Sequence, residues 1–386
     1  MFADRTKWNL APNRLSEALA QHRAAGKPLA DLTVSNPTEC GFKYDEPAVL
    51  GALQNPAALE YQPEPRGLDS ARKGVENYYR ERGVGVDVND IFLTTSTSEA
   101  YSYVFRLLCN PRDEIAIPAP SYPLFDFLAD LQDIRLVRYP LIYDHGWQID
   151  FHALERAITP HTRALVLVHP NNPTGHFTKR AEMERLNATC TEHGLTLVVD
   201  EVFGDFFLGA KRPPSFAGNS DALTFTLSGI SKICGLPQMK AAWLVVSGPQ
   251  AQKNEANARL EVIADTFLSI NAPVQLALPA FLSQGGAFQE QLIDRVRHNL
   301  AELDRLLALQ KVGSRLEFEG GWYAVLRVPA TRSGEDLALV LLKEKGVYLH
   351  PGSFYDFPQE GFLIVSLITR QAEFSQGLAA LLEFFL

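Results

Sequence analysis

The chain is 386 residues long, 46% hydrophobic and 21% charged, with a formal net charge of −9. That is enough apolar material for a large buried core in two domains, and the composition is that of a globular protein rather than a disordered one. The acidic balance argues against a nucleic-acid surface, and no apolar stretch reaches bilayer length.

From the N-terminus, Met1–Leu15 mixes charge with Trp8 and Pro12 and has no apolar run, so it does not read as a signal peptide. Cys40, Cys109, Cys190 and Cys234 form no C-x-x-C pair and no zinc spacing, which fits a reducing compartment and no metal. The expectation is a cytoplasmic protein with neither nucleic-acid nor membrane partners.

Short runs rich in β-branched and aromatic residues then recur: Ile91–Thr94, Glu114–Pro118, Ile134–Tyr139, Ala164–Val168, Leu195–Asp200, Ala222–Leu227 and Ala241–Val246. Stretches of helical period separate most of them. Ser98–Cys109 carries Tyr101, Val104, Phe105 and Leu108 on one face, and Lys179–His193 is another. This alternation predicts an α/β fold with a mostly parallel sheet covered by helices on both faces. After about Ala272 the pattern changes to helices at Pro273–Leu282, Phe288–Leu307 and Glu335–Lys345 and strands at Leu316–Val328 and Phe362–Leu367. That predicts a smaller α+β domain from residues 1–42 and 276–386, beside a large domain over 43–275.

In open α/β sheets ligands bind beyond the carboxyl ends of the strands. After Ile91–Thr94, Ser96, Thr97 and Ser98 open a helix, either as an anion cradle or as a plain N-cap. After Ala164–Val168, His169-Pro170-Asn171-Asn172-Pro173-Thr174-Gly175 is a rigid turn, with or without a ligand-facing amide. Asp200 ends a buried apolar strand, which is costly unless a cation pairs with it; a structural salt bridge would also serve. After Ala222–Leu227, Ser228 and Lys232 stand in a Gly/Pro-bounded apolar loop. Burial there makes an amine nucleophilic, whereas most lysines are simply solvated.

Taken together, from about Asn36 to Ser366, these segments resemble the fold type I, class I/II aminotransferases of the aspartate aminotransferase superfamily. The resemblance rests on Asn-Asn-Pro-Thr-Gly, then Asp-Glu-Val-Phe, then Ser-Lys with a basic residue eight positions on. It implies a seven-stranded sheet with one antiparallel strand. It also implies pyridoxal 5'-phosphate (PLP), held by Lys232 as a Schiff base, with Lys232 as the base that moves the substrate's α-proton. Asp200 would pair with the pyridine nitrogen, Asn172 would bind the 3′-oxygen, and Tyr122 of Pro120-Ser121-Tyr122-Pro123 would stack on the ring. Ser96, Thr97, Ser98, Ser228 and Lys240 fall on the phosphate site, with Lys240 where most relatives carry arginine. Tyr61 resembles the tyrosine given to the neighbouring subunit's phosphate, which implies a homodimer.

Two departures bear on chemistry. The family's Asp-x-x-Tyr is Asp200-x-x-Phe203 here, so the 3′-oxygen loses a donor and the Schiff base is expected to keep its proton to higher pH. The late Arg-x-Ser reads Ile364-x-Ser366, and isoleucine cannot bind a substrate carboxylate. Arg327 and Arg370 are alternative carboxylate partners, each also readable as a solvent-facing residue. His350-Pro351-Gly352-Ser353-Phe354 resembles the family's loop at the substrate entrance. The function expected is amino-group transfer between an amino acid or related amine and a keto acid by a ping-pong mechanism. β-Elimination, decarboxylation, racemisation and a non-catalytic sensor are the alternatives. No G-x-G-x-x-G after a strand, P-loop or H-E-x-x-H is present.

Overall fold

The computed structural model describes residues 1–385. Its main sheet runs, in spatial order, Ile91–Thr94, Ala242–Ser247, Thr224–Gly229, Thr196–Asp200, Thr162–Val168, Glu114–Ala119, Arg135–Tyr143 and Trp147–Ile149. Ala242–Ser247 is antiparallel to both of its neighbours. The four strands from Thr224–Gly229 to Glu114–Ala119 pair in parallel, as do Glu114–Ala119 and Arg135–Tyr143. The seven strands expected from the sequence are thus all present. Trp147–Ile149 adds a short eighth, folded back on Arg135–Tyr143 through a turn in which His145 and Gly146 take positive φ. The central strands are buried on both faces, which is why residues 164–168 and 197–199 are unbroken apolar runs, while Thr224–Gly229 alternates Phe225 and Leu227 with buried Thr224, Thr226 and Ser228.

A second sheet orders Ser314–Arg315, Tyr323–Arg327, Phe362–Ser366 and His350–Pro351, all antiparallel. Its core joins the two ends of the chain: Leu15 and Leu32 pack with Leu342, Val365 and Phe374. Ala30–Asp31 pairs in parallel with Val347–Tyr348. The helix Ala272–Leu307 runs unbroken for 36 residues, where the sequence predicted two helices. Pro279 lies inside it and lacks the N–H of a helical turn. Gly74 of the helix Asp69–Glu81 accommodates that ring, since a Cβ there would stand 3.0–3.2 Å from Pro279. Among the described residues, no helix is long and apolar enough to cross a membrane.

Candidate active site

The carboxyl ends of the parallel strands open onto a cavity of about 300 Å³. Of the residues predicted for the site, Ser96, Thr97, Ser98, Tyr122, Asn172, Asp200, Lys232 and Lys240 all line it. Ser228 does not: it lies on the strand Thr224–Gly229, buried, with its hydroxyl lacking a partner. Tyr61 is also outside the cavity. It is 78% exposed and borders a separate groove with Pro63 and Leu268.

Asp200 is the last residue of its strand, so its side chain leaves the sheet at the cavity. Its carboxylate accepts from the Val202 backbone N–H (3.0 Å) and from the Tyr101 hydroxyl (3.2 Å). Burial outweighs both donors and pushes its pKa up to about 6. Lys232 lies in the single-turn helix Ile230–Ile233 that follows the strand Thr224–Gly229. Its Nζ is 5.0 Å from the ring centre of Trp322 and 5.7 Å from that of Phe203. Burial pulls its pKa down to about 8, partly offset by the Asp200 charge. The pair therefore carries strained charges whose values approach each other.

Ser96 is the N-cap of the helix Thr97–Leu108, and its Oγ accepts from the Glu99 N–H at 3.1 Å. Glu99 in turn accepts from the Thr95 N–H and hydroxyl, at 2.7 and 3.0 Å. The N-cap reading is thus present in the structure, and Ser96, Thr97 and Ser98 also line the cavity. Among the described residues, Thr97 and Ser98 make no side-chain hydrogen bond, which leaves two hydroxyls free at the positive end of the helix dipole. Lys240, in the left-handed region at φ 54°, brings a cation to the same cavity. Asn172 is buried with an unpartnered amide oxygen. An anion cradle, a buried carboxylate awaiting a cation, a free amide and a desolvated amine fit the phosphate, ring nitrogen, 3′-oxygen and aldehyde of pyridoxal phosphate.

Four polar lining residues escaped the sequence reading: Ser35, Tyr101, Ser231 and Tyr323. Tyr101 reads as core because Val104 and Phe105 share its helix face, and its ring does pack edge-on against Phe125 at 5.3 Å. Only its hydroxyl reaches Asp200. Phe203 packs against Trp322 at 4.8 Å and offers the cavity no hydroxyl. Ile364 is 1% exposed and sealed among Leu316, Val325, Tyr355 and Phe357. Neither alternative arginine lines the cavity. Arg327 is an exposed strand end beside Tyr143 and Phe362, and Arg370 is exposed at the start of the helix Gln371–Phe384. The loop Gly352–Tyr355 reaches the Tyr122 segment through Ser121, whose N–H donates to the Tyr355 carbonyl at 2.9 Å.

Comparison with known proteins agrees with this geometry. The family model described as aminotransferase class I and II matches residues 32–381. The glutamate-pyruvate aminotransferase AlaA of Escherichia coli (strain K12) is 27% identical over 360 residues, covering 89% of this chain and 87% of that protein. The alanine aminotransferase of Mycobacterium tuberculosis (strain ATCC 25618 / H37Rv) is 27% identical over 377 residues, covering 94% and 86%. The solved alanine aminotransferase of Pyrococcus furiosus superposes with a TM-score of 0.91 at 20% identity, covering 100% and 99% of the two chains, a likeness of fold.

Proposed function

Because the chain belongs to the class I and II aminotransferases, and is thereby a PLP-dependent aminotransferase, we propose that it moves the amino group of a small amino acid onto a keto acid, with Lys232 as the catalytic residue. Alanine is the donor that the names of its relatives suggest. The observation that carries the reading is the convergence of Lys232 and Asp200 on one cavity beside a helix start. When bound, pyridoxal phosphate supplies a protonated pyridine ring that absorbs the negative charge developing at the substrate's α-carbon.

The chain's own groups divide the remaining work. Asp200 holds the proton on the ring nitrogen; its own raised pKa shows how much a buried cation would relieve it. Ser96, Thr97, Ser98 and Lys240 hold the phosphate. Lysine keeps the charge but not the two-pronged grip of arginine. Asn172 binds the 3′-oxygen, and Tyr122 lies on the ring. Lys232 would hold the cofactor covalently, and its amine, once released, would serve as the base that takes the substrate's α-proton and passes it on as an acid. A pKa near 8 leaves part of it uncharged near neutral pH, as a base requires. The same reading makes the active unit a cytoplasmic homodimer, in which Tyr61 reaches the partner's phosphate. Residues 43–275 then form the large domain, and 1–42 with 276–386 the small one.

The test is the near-visible absorbance of the protein loaded with pyridoxal phosphate. L-Alanine should bleach the band and a keto acid should restore it, and Lys232→Ala should lack the lysine-linked band. A band that changes with an amino acid and recovers with no keto acid added, as the amino acid is consumed, would speak for elimination or decarboxylation. A band indifferent to every amino acid would end the transfer reading.

A further inference from the structure

Two groups of residues line the cavity. One is the anion cradle with Lys240. The other gathers around Tyr323, whose ring centre is 6.3 Å from that of Phe203 and whose hydroxyl has Ser35 and Trp322 beside it. Among the described residues, the lining cations are Lys232 and Lys240 alone, and the proposed function commits both. The arginines of neighbouring elements are engaged elsewhere. Arg138 pairs with Asp126 and Asp356 at 2.9 and 2.8 Å. Arg295 donates to the carbonyls of Cys40, Ile368 and Thr369. Arg370 lies against Gly41 and the Glu39 carbonyl.

The Tyr323 end is therefore a place of neutral donors. Burial raises the Tyr323 hydroxyl above its usual range, so it stays protonated. The indole of Trp322 is fully buried, outside the cavity lining, beside the Tyr323 hydroxyl. Tyr323 and Ser35 present hydroxyls on the cavity wall that a ligand oxygen can engage. An ionised group in the same place would lack a counter-charge.

We propose, building on the aminotransfer reading, that the substrate's group beyond the amino-bearing carbon is anchored by the neutral donors Tyr323 and Ser35 rather than by a cation. The enzyme then accepts amino donors in which that group is an uncharged amide or alcohol as well as those in which it is a carboxylate. Substrates that need a guanidinium to be held fall outside its range.

The experiment uses the cofactor-loaded enzyme and follows bleaching of its absorbance with L-alanine, L-alaninamide and L-alaninol. The three half-saturating concentrations should agree within roughly tenfold, about 1.4 kcal/mol. A preference for alanine of about a hundredfold or more would overturn the inference and reveal a cation supplied from elsewhere, while leaving aminotransfer intact. If none of these donors, nor any other amino acid, moves the band, aminotransfer itself falls and the inference with it. Tyr323→Phe should raise the half-saturating concentration of all three donors while the absorbance maximum and cofactor affinity stay fixed; unchanged half-saturation would overturn the role of Tyr323.

Discussion

At Asp200, burial works against charge. An acid whose folded pKa lies above its unfolded value, here about 6 against 3.8, is penalised when ionised. The penalty is absent below about pH 4, grows as pH rises to about 6, and is complete above that. In the cofactor-free protein, Asp200→Asn should therefore add up to about 3 kcal/mol of stability at pH 8, trimmed because Lys232 loses its nearby charge, and none at pH 3.5. It should also weaken cofactor binding. Urea unfolding at the two pH values checks this; equal effects at both would rule out ionisation as the cause. Tyr101 acts on the same carboxylate. Tyr101→Phe deletes one donor to a buried charge, worth about 1.5–3 kcal/mol, and should weaken pyridoxal phosphate binding roughly tenfold or more, as read by fluorescence titration. An unchanged affinity would show that the Val202 N–H suffices. The acid at a strand end and the lysine in an apolar loop were legible in the sequence because both residue types are out of place there. Tyr101 was not, since an aromatic on an apolar helix face looks the same whether or not its hydroxyl has work to do.

The elements bring these residues together through close backbone approach. Gly229 ends its strand in extended conformation just before the helix that carries Lys232. A Cβ there would fall 2.8 Å from the Ala242 Cβ and 3.0 Å from the Ala241 carbonyl oxygen. Gly229→Ala should thus cost about 1–3 kcal/mol by overpacking, and it should loosen the cofactor by shifting Lys232. Gly286 is the control. It is exposed, sits mid-helix, and a Cβ there meets nothing within 4 Å. Gly286→Ala should stabilise by about 0.5–1 kcal/mol through helix propensity. Thermal melts of the two variants should move in opposite directions; a shared direction would defeat the packing argument. Periodicity made the strand and helix order readable, because the strands of the sheet centre are short, buried and mostly apolar while the covering helices carry polar faces. The long helix was read as two because Pro279, Gly285 and Gly286 are local breakers. What overrides them is tertiary: Phe281, Phe288 and Leu292 are all buried along one continuous face.

Across the whole molecule, the turn after Thr162–Val168 is tied to the segment just before Tyr323 by charges that the sequence places far apart. His176 is 2% exposed. Its imidazole nitrogens lie 3.2 Å from a Glu182 oxygen and 3.7 Å from a Glu319 oxygen, distances of ion pairing rather than of well-aligned hydrogen bonds. Glu319 also pairs with Lys179 and accepts from the Phe177 N–H at 2.9 Å. Burial alone would lower the His176 pKa, but the two carboxylates overcome it and hold it above 6.5. A histidine raised in this way contributes stability that is complete below its unfolded pKa and lost as pH rises through its folded value. Glu319→Gln should therefore lower the melting temperature more at pH 6 than at pH 9.5, where the histidine contact is already gone and only those with Lys179 and the Phe177 N–H remain to be weakened. His176→Gln should abolish that pH difference. Because Glu319 leads directly into Trp322 and Tyr323, the same substitution should also raise the half-saturating donor concentration at pH 6, without moving the cofactor absorbance. An equal loss of melting temperature at both pH values would mean that Lys179 alone makes this contact and that His176 is an uncharged filler of the joint.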